Sequence, residues 1–437
     1  MSTLRSLAFN TRHCVGGARE ILARDRSRAQ KLLAGVQPHG PAAFHAVEFR
    51  RRGHRSHHGH KTTGGGSTGG GAPRAPTRLA TRSTSPTLVG GVVADVPWDV
   101  LLMGCGIHVA VTYIASVGVG SPATSYDLLI DTGSSNTWVG ADKSYTPTST
   151  SKSTKKKVSV SYGSGQFSGT EYTDQVSLSP ELVIQKQSIG VASTAQGFDG
   201  VDGILGPDGW HRFGQRAHPD RDGQPVRPRQ ILVEAIGISY APTTSSSGNA
   251  AVNGELDFGS VDSGKITGDV SYVPITSTQP AGMYWGIDQS VSYGSADGSS
   301  LLDSSGIVDT GTTLILLATD AFQAYQKATG AKLDQSTGLL TVTESQFNNL
   351  QSLFFTVGGV SYELTPNAQI WPRALNSTLG GDEGTIYLVV SDLGSPSGQG
   401  LDFINGFTFL QRFYSVYDTT NSQLGLATTP FTTAETN

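Results

Sequence analysis

A chain of 437 residues can form two or three domains, or one large two-lobed body with a substantial core, so size excludes little. Its 55 glycines stand well above the roughly 7% of average usage, and with abundant Ser and Thr they favour an all-β fold with many turns. Residues 1–91 carry 15 Lys/Arg against 3 Asp/Glu, net +12, and the remainder carries 16 against 32, net −16; so acidic a main body is the wrong surface for nucleic acid.

In chain order, "MSTLRSLAFNTRHC" holds no apolar run of the kind a secretory signal needs. Arg19–Leu33 then shows helical spacing, with Ile21, Leu22, Leu32 and Leu33 among charges. A basic, Gly-rich stretch follows and reads as a flexible linker. Its His54, His57, His58 and His60 read as a solvated polar tail rather than a metal site. The two cysteines, Cys14 and Cys105, make a disulfide framework improbable. The apolar window Val100–Ile114 is shorter than the roughly 20 residues a membrane helix needs.

From about Val92 the chain becomes strand-like. "VSVSYGSGQFSGTEY", Val158–Tyr172, alternates about a Gly-Ser-Gly tip as a β-hairpin does. Trp210–Gln230 breaks the style with five Arg, two His and three Pro in 21 residues; it reads as a basic surface loop or as the product of a shifted frame or misplaced exon edge. Two helices are expected later, "TDAFQAYQKATG", with Thr319 or Asp320 as N-cap and Gly330 as stop, and "ESQFNNLQSLF".

The chemistry lies in a repeated phrase. "LLIDTGSSNTWVG" and "GIVDTGTTLILL" each drive an apolar pair into Asp-Thr-Gly and then two hydroxyl residues, with Asp131 and Asp309 178 positions apart. Each is followed by a second shared element, "DGILG" at 202–206 and "DFING" at 402–406. One Asp-Thr-Gly is an ordinary turn; two in the same setting indicate related halves. An apolar strand carries its Asp into a low-dielectric place, where a lone carboxylate is costly unless amides and hydroxyls bond it. Two such carboxyls side by side hold one proton between them, one as acid and one as base. Such a pair activates water against an amide carbonyl without metal, cofactor or covalent nucleophile.

With "VSYGSGQFSG", "FDGVDGILG" and "DFINGFTFLQRFYSVYDTTNSQLGLA", these motifs make the chain resemble the pepsin-like aspartic proteases, especially the polyporopepsin-type group of basidiomycete fungi. The likeness runs from about Thr112 to Asn437, except 207 to about 235. It implies an all-β, bilobal pepsin-like fold, with two pseudo-twofold-related β-barrel-like lobes and a cleft between them. It divides the chain into a basic propeptide-like segment and linker (1–91), an N-terminal lobe (92–235, with 98–110 and 207–230 atypical) and a C-terminal lobe (236–437). By the same resemblance Asp131 and Asp309 are the catalytic pair. Thr132 and Thr310 cross-brace their loops, and Ser134 and Thr312 bond the outer carboxylate oxygens. Gly133 belongs to the same support, and Tyr162 is the flap tyrosine with Trp138 its partner. Gly163, Ser164 and Gly311 line the cleft and bond the substrate backbone. Because Ser164 is neutral, large apolar or aromatic residues are expected beside the cut.

The resemblance further implies acidic working pH, a secreted zymogen that sheds about residues 1–91, a peptide or protein substrate and a monomer without nucleic-acid or membrane partners. Asn376-Ser377-Thr378 is a glycosylation sequon. The departures are the missing signal, which an incomplete 5′ exon explains, the insert Trp98–Ala110, which reads as retained non-coding sequence or an extra apolar strand, and the Arg/Pro segment. They leave two alternatives to an active protease: an impaired product of a damaged gene model, and a non-catalytic binding relative.

Overall fold

A computed structural model describes residues 5–13, 17–35, 40–41, 111–132, 136–162, 165–179, 182–206, 235–242 and 252–437. Cys14, Cys105, the four linker histidines, the insert at 98–110 and the Arg/Pro segment lie outside them. The chain is all-β, with short helices between strands.

The first half is built from β1 (Arg5–His13), helix α1 (Ala18–Leu33), β2 (Val111–Val119), β3 (Thr124–Ile130), β4 (Trp138–Val139), β5 (Lys152–Ser161), β6 (Gln166–Ser179), β7 (Leu182–Gln196) and β8 (Gly203–Leu205). Strands β2, β3, β8, β4, β7 and β6 pair in that order, and β2 pairs back onto β6, so the six close into a barrel. Alternation places Tyr126, Leu128 and Ile130 of β3 inside, as a half-buried strand requires.

The second half contains β9 (Ala235–Tyr240), β10 (Val252–Phe258), β11 (Ser271–Pro274), β12 (Gly286–Tyr293), β13 (Ser299–Val308), β14 (Ile315–Leu317), helix α2 (Thr319–Thr329), β15 (Lys332–Leu333), β16 (Leu340–Val342) and helix α3 (Glu344–Phe347). It continues through β17 (Leu353–Val357), β18 (Val360–Leu364), β19 (Ile386–Tyr387), β20 (Val390–Asp392), β21 (Phe403–Asn405), helix α4 (Phe407–Leu410), β22 (Phe413–Asp418) and β23 (Gln423–Thr428). The order β12-β13-β21-β14-β20 repeats β2-β3-β8-β4-β7 of the first half. The sequence division at 235/236 falls at the start of β9, which pairs with β10 and β22 in the large sheet shared with the first half.

Strand β1 is a finding that the sequence reading did not contain. It sits between β2 and β10 and inserts Phe9 into the core against Tyr240, ring centroids 5.4 Å apart. A Cβ on Gly254 would lie 2.0 Å from the Phe9 ring, so the facing strand has no room for a side chain there. Gly17, at φ 91, turns the chain from β1 into α1.

At α2 the expected stop at Gly330 is present in the left-handed conformation at φ 67, but the expected cap is not: the N-cap is Ala318 with no side-chain bond. Both candidates are engaged elsewhere, Thr319 donating to Asp392 (2.7 Å) and Asp320 accepting from Ser397 N–H and O–H. The second expected helix shrinks to α3, one turn opened by a capping box between Thr343 and Gln346.

Candidate active site

Two equivalent strand crossings carry Asp131 and Asp309. Strand β3 runs parallel to β8, Ile130 beside Leu205, and β13 runs parallel to β21, Val308 beside Asn405. Just beyond, the Asp131 amide donates to Leu205 O (3.4 Å) and the Asp309 amide to Asn405 O (3.2 Å). The returning strands pair antiparallel with the same partners, β4 on β8 and β14 on β21. The second motifs of each half, 202–206 and 402–406, are therefore the strands that hold the Asp loops. Their last glycines are forced by crowding: a Cβ on Gly206 would meet Asn136 O at 2.6 Å and one on Gly406 would meet Leu314 O at 2.3 Å.

The loops are tied to each other by Thr132 and Thr310. Each threonine's amide donates to the other's hydroxyl, at 2.9 and 3.1 Å, and the hydroxyl oxygens are 3.0 Å apart. Both residues are buried, so the bonds form without competition from water. Asp131 and Asp309 are each only 1% exposed. Asp309 accepts from Thr312 Oγ1 (2.6 Å) and Gly311 N–H (3.1 Å). A Cβ on Gly311 would lie 2.5 Å from Arg28 and 2.7 Å from Asp131 Oδ1, so a side chain there would displace the guanidinium from the pair.

The cation that bridges this pair comes from α1. Arg28 Nη2 donates to Asp131 Oδ1 (2.7 Å) and to Asp309 Oδ1 (3.0 Å), while its Nε donates to Asp309 Oδ2 (2.6 Å). Burial pushes the Asp309 carboxyl up, but the charge and hydrogen bond of Arg28, with Thr312 and Gly311, outweigh it and hold the group below its usual range. Burial works against the Arg28 charge, and the two carboxylates more than restore it. Around it, Arg24 bonds Thr313 Oγ1 (3.1 Å), Arg26 bonds the Asp392 carbonyl (3.0 Å), Arg19 bonds the carbonyls of Ser336 and Gln335, and Lys31 donates to the Tyr162 carbonyl. Helix α1 thus lies across both carboxylates, with Ile21, Leu22, Ala29 and Leu32 buried beneath it.

Tyr162 follows β5 at the hairpin tip, where its amide donates to Gly165 O (2.6 Å). Its ring stacks toward Trp138 at 6.4 Å and meets Phe198 edge-on at 5.4 Å; Trp138 in turn stacks on Phe167 at 4.2 Å. Burial, and next the negative charge of Asp131, raise the Tyr162 hydroxyl well above an ordinary phenol, so it stays protonated.

The structure therefore brings together Asp131, Asp309, Thr132, Thr310, Gly311 and Thr312, with Tyr162 and Trp138 packed beside them. Gly133, Ser134, Gly163 and Ser164 lie outside the described residues. Asn376 requires a correction: it is 2% exposed, and the Nδ2 to which a glycan would attach donates to Asp382 O (3.0 Å) and Thr385 O (2.8 Å). The folded chain spends that amide internally. Sequence reasoning missed Arg28 and Asp25. The signal was present: the buried positions of α1 are 18, 21, 22, 25, 28, 29 and 32, one helical stripe, and two of its members are charged.

The family model for eukaryotic aspartyl proteases matches residues 112–429. Polyporopepsin of Irpex lacteus is 60% identical over 334 residues, 75% of this chain and 97% of the relative. Gastricsin of Cavia porcellus is 31% identical over 337 residues, 72% of this chain and 80% of the relative. The crystal structure of an aspartic proteinase from Irpex lacteus superposes with a TM-score of 0.66 at 58% identity, covering 75% of this chain and 96% of that one.

Proposed function

The chain belongs to the eukaryotic aspartyl protease family, an aspartic endopeptidase by that membership, and from this premise we propose that Asp131 and Asp309 are its catalytic pair and that residues 1–91 are a pro-segment holding the pair latent. The observation that carries the reading is Arg28, which bonds both carboxylates at once. While it sits there, its guanidinium bridges the two carboxylates and takes up the oxygens that a water held between them would bond.

Once α1 leaves, the two carboxyls lose their counter-charge and share one proton. The ionised member takes a proton from a water whose oxygen attacks the carbonyl carbon of the peptide. The protonated member gives its proton to the carbonyl oxygen. The proton taken from water then passes to the amide nitrogen, and as the C–N bond breaks a hydroxyl of the gem-diol returns its proton to the other carboxylate, so the products are a carboxylic acid and an amine and the pair is back in its one-proton state. The Thr132–Thr310 brace fixes the spacing this requires. The hairpin carrying Tyr162 closes over an extended peptide bound as an added strand, and a neutral Ser164 favours large apolar or aromatic residues beside the cut. The damaged-gene and binding-protein alternatives have less support, since the pair, the brace and the hairpin tyrosine are all present and mutually bonded or packed. We place the protein outside the cell, as a monomer, on its resemblance to a secreted group.

Release is driven by acid. A carboxyl held below its usual range keeps its contribution to docking above about pH 4 and loses it as pH falls through its lowered value. Release through this contact therefore belongs below about pH 4. The test is to acidify the purified full chain to pH 3–4 and follow hydrolysis of denatured haemoglobin with and without pepstatin, with N-terminal sequencing of the product. Pepstatin-sensitive activity that appears as the pro-segment is lost is the expected result. Full activity of an intact chain would overturn the latency, and a processed but inactive chain would overturn the catalytic pair. Cleavage of a peptide library tests the pocket, and a preference for Lys beside the cut sinks that part.

A further inference from the structure

We propose that Asp25 is a proton-dependent latch opposing acid release: when its buried carboxylate takes up a proton, helix α1 is held more tightly on the Asp309 loop. This rests on the latent reading above, and it concerns a group that reading does not use.

Asp25 is fully buried on the inner stripe of α1. Its Oδ2 accepts the backbone N–H groups of Thr313 and Leu314, both at 3.0 Å. Its Oδ1 receives no hydrogen bond. The charged groups facing it are few. Arg24, on the same helix, stops 3.8 Å from Oδ1 and spends Nη2 on Thr313 Oγ1. Arg28, one turn on, is engaged by the catalytic pair. Arg26 turns to Asp392, and Asp309 presents a like charge from the loop itself. A fully buried carboxylate with one oxygen unbonded carries a larger desolvation cost than the neutral acid. Protonation at Oδ1 leaves both N–H bonds to Oδ2 in place and exchanges the cost of a buried charge for the smaller one of a buried neutral hydroxyl.

The sign follows from linkage. Burial raises the docked carboxyl from the ordinary 3.8 to about 6, against the pull of Arg24 and the two N–H bonds and with a further push from Asp309. In the released segment the group is solvated and ordinary. The docked form therefore binds more protons, and docking tightens as pH falls through 6, the reverse of the Arg28 contact. By the linkage relation the gain between pH 7.5 and pH 5 is about tenfold. Two opposed titrations bound a window, between roughly pH 4 and 5, in which the segment is held best, and they postpone activation until the catalytic pair itself is protonated.

The experiment compares backbone hydrogen exchange of residues 18–33 in the full chain, wild type and Asp25→Asn, from pH 7.5 to pH 5, taking the ratio at each pH so that intrinsic rates cancel. Asn keeps an acceptor for the two N–H groups and cannot ionise. The wild type should gain protection relative to Asp25→Asn by about tenfold as pH falls. A ratio that stays flat, or moves the other way, overturns the proposal. Asp25→Ala is the second variant: it loosens the helix at every pH, yet the wild type must gain on it with the same slope. Arg28→Gln separates the two readings. If it leaves the helix as protected as before at pH 7.5, the latent reading itself fails; if it exposes the helix while the Asp25 ratio stays flat, only the latch fails.

Discussion

The two halves bring the same strand crossing and the same Asp-Thr-Gly loop to the centre, yet α1 uses them differently. Onto the second half it places Arg19, Arg24, Asp25, Arg26 and two bonds from Arg28. Among the described residues, its bonds to the first half are the remaining Arg28 bonds and Lys31 on the Tyr162 carbonyl. Among the described bonds, the second half therefore takes most of those that α1 makes, and the hairpin side takes the Lys31 contact with the Tyr162 carbonyl. The catalytic chemistry is symmetric and the restraint on it is not, which predicts that the helix parts from the Asp131 side first.

The largest expected effect tests the symmetric part. Asp131→Asn and Asp309→Asn should each lower kcat of the processed enzyme by about 10²-fold to 10⁴-fold, with the fold retained, because each removes one of the two groups that exchange the proton. Equal losses support a shared pair; a variant keeping more than a tenth of wild-type kcat would break it. Circular dichroism with peptide hydrolysis at acidic pH measures both.

Next comes the contact that spans the halves. Arg28→Gln leaves two buried carboxylates facing each other without a cation, so docking should weaken by about 3–5 kcal/mol, the usual cost of breaking a buried ion pair by removing one partner. Processing should then begin at higher pH than in wild type, read as the pH at which half the chains have lost the segment. An unchanged midpoint would overturn Arg28 as the contact that holds the pair latent.

Below that, Thr310→Val removes the hydroxyl that accepts the Thr132 amide and leaves that amide buried without a partner. The expected loss is about 1–3 kcal/mol in unfolding free energy, with kcat falling more than KM rises, because spacing of the pair rather than substrate contact is disturbed. Thr132→Val should match it, since the bonds are reciprocal. A large difference between the two would show that the brace, like the helix contacts, is carried mainly by one half.

The loops were legible in the sequence because their information is local and repeated. An apolar pair before Asp131 and Asp309 fixes burial, and the hydroxyls and glycines after them fix the hydrogen bonds, so Thr312 and Gly311 sit where short-range reasoning puts them. Strand β1 was not legible, since its pairing with β10 joins residues some 245 positions apart and only Leu7 and Phe9 mark it. Arg28 was hidden for a related reason: a helix among charges reads as a solvated face until the stripe positions are set against the buried set. The cap of α2 failed because Thr319 and Asp320 had tertiary partners, Asp392 and Ser397, that no local rule contains. Asn376 failed likewise, a sequon satisfied by its own backbone neighbours.

The smallest expected effect bears most directly on the asymmetry. Lys31 reaches the Tyr162 carbonyl from a half-open position, and burial together with the positive charge of Arg28 lowers its pKa, so its amine is held less firmly as a cation than a free lysine. Lys31→Gln should therefore cost docking only about 1 kcal/mol, and the loss should appear as faster opening of the hairpin at 162–166 with little change in protection of residues 19–28. Arg24→Gln, on the anchoring side, should do the opposite, exposing the middle of α1 while the hairpin stays closed. Hydrogen exchange resolved to these two segments distinguishes the outcomes. If both variants loosened helix and hairpin together, the pro-segment would leave as one rigid piece, and the division into an anchoring side and a hairpin side would have no kinetic meaning.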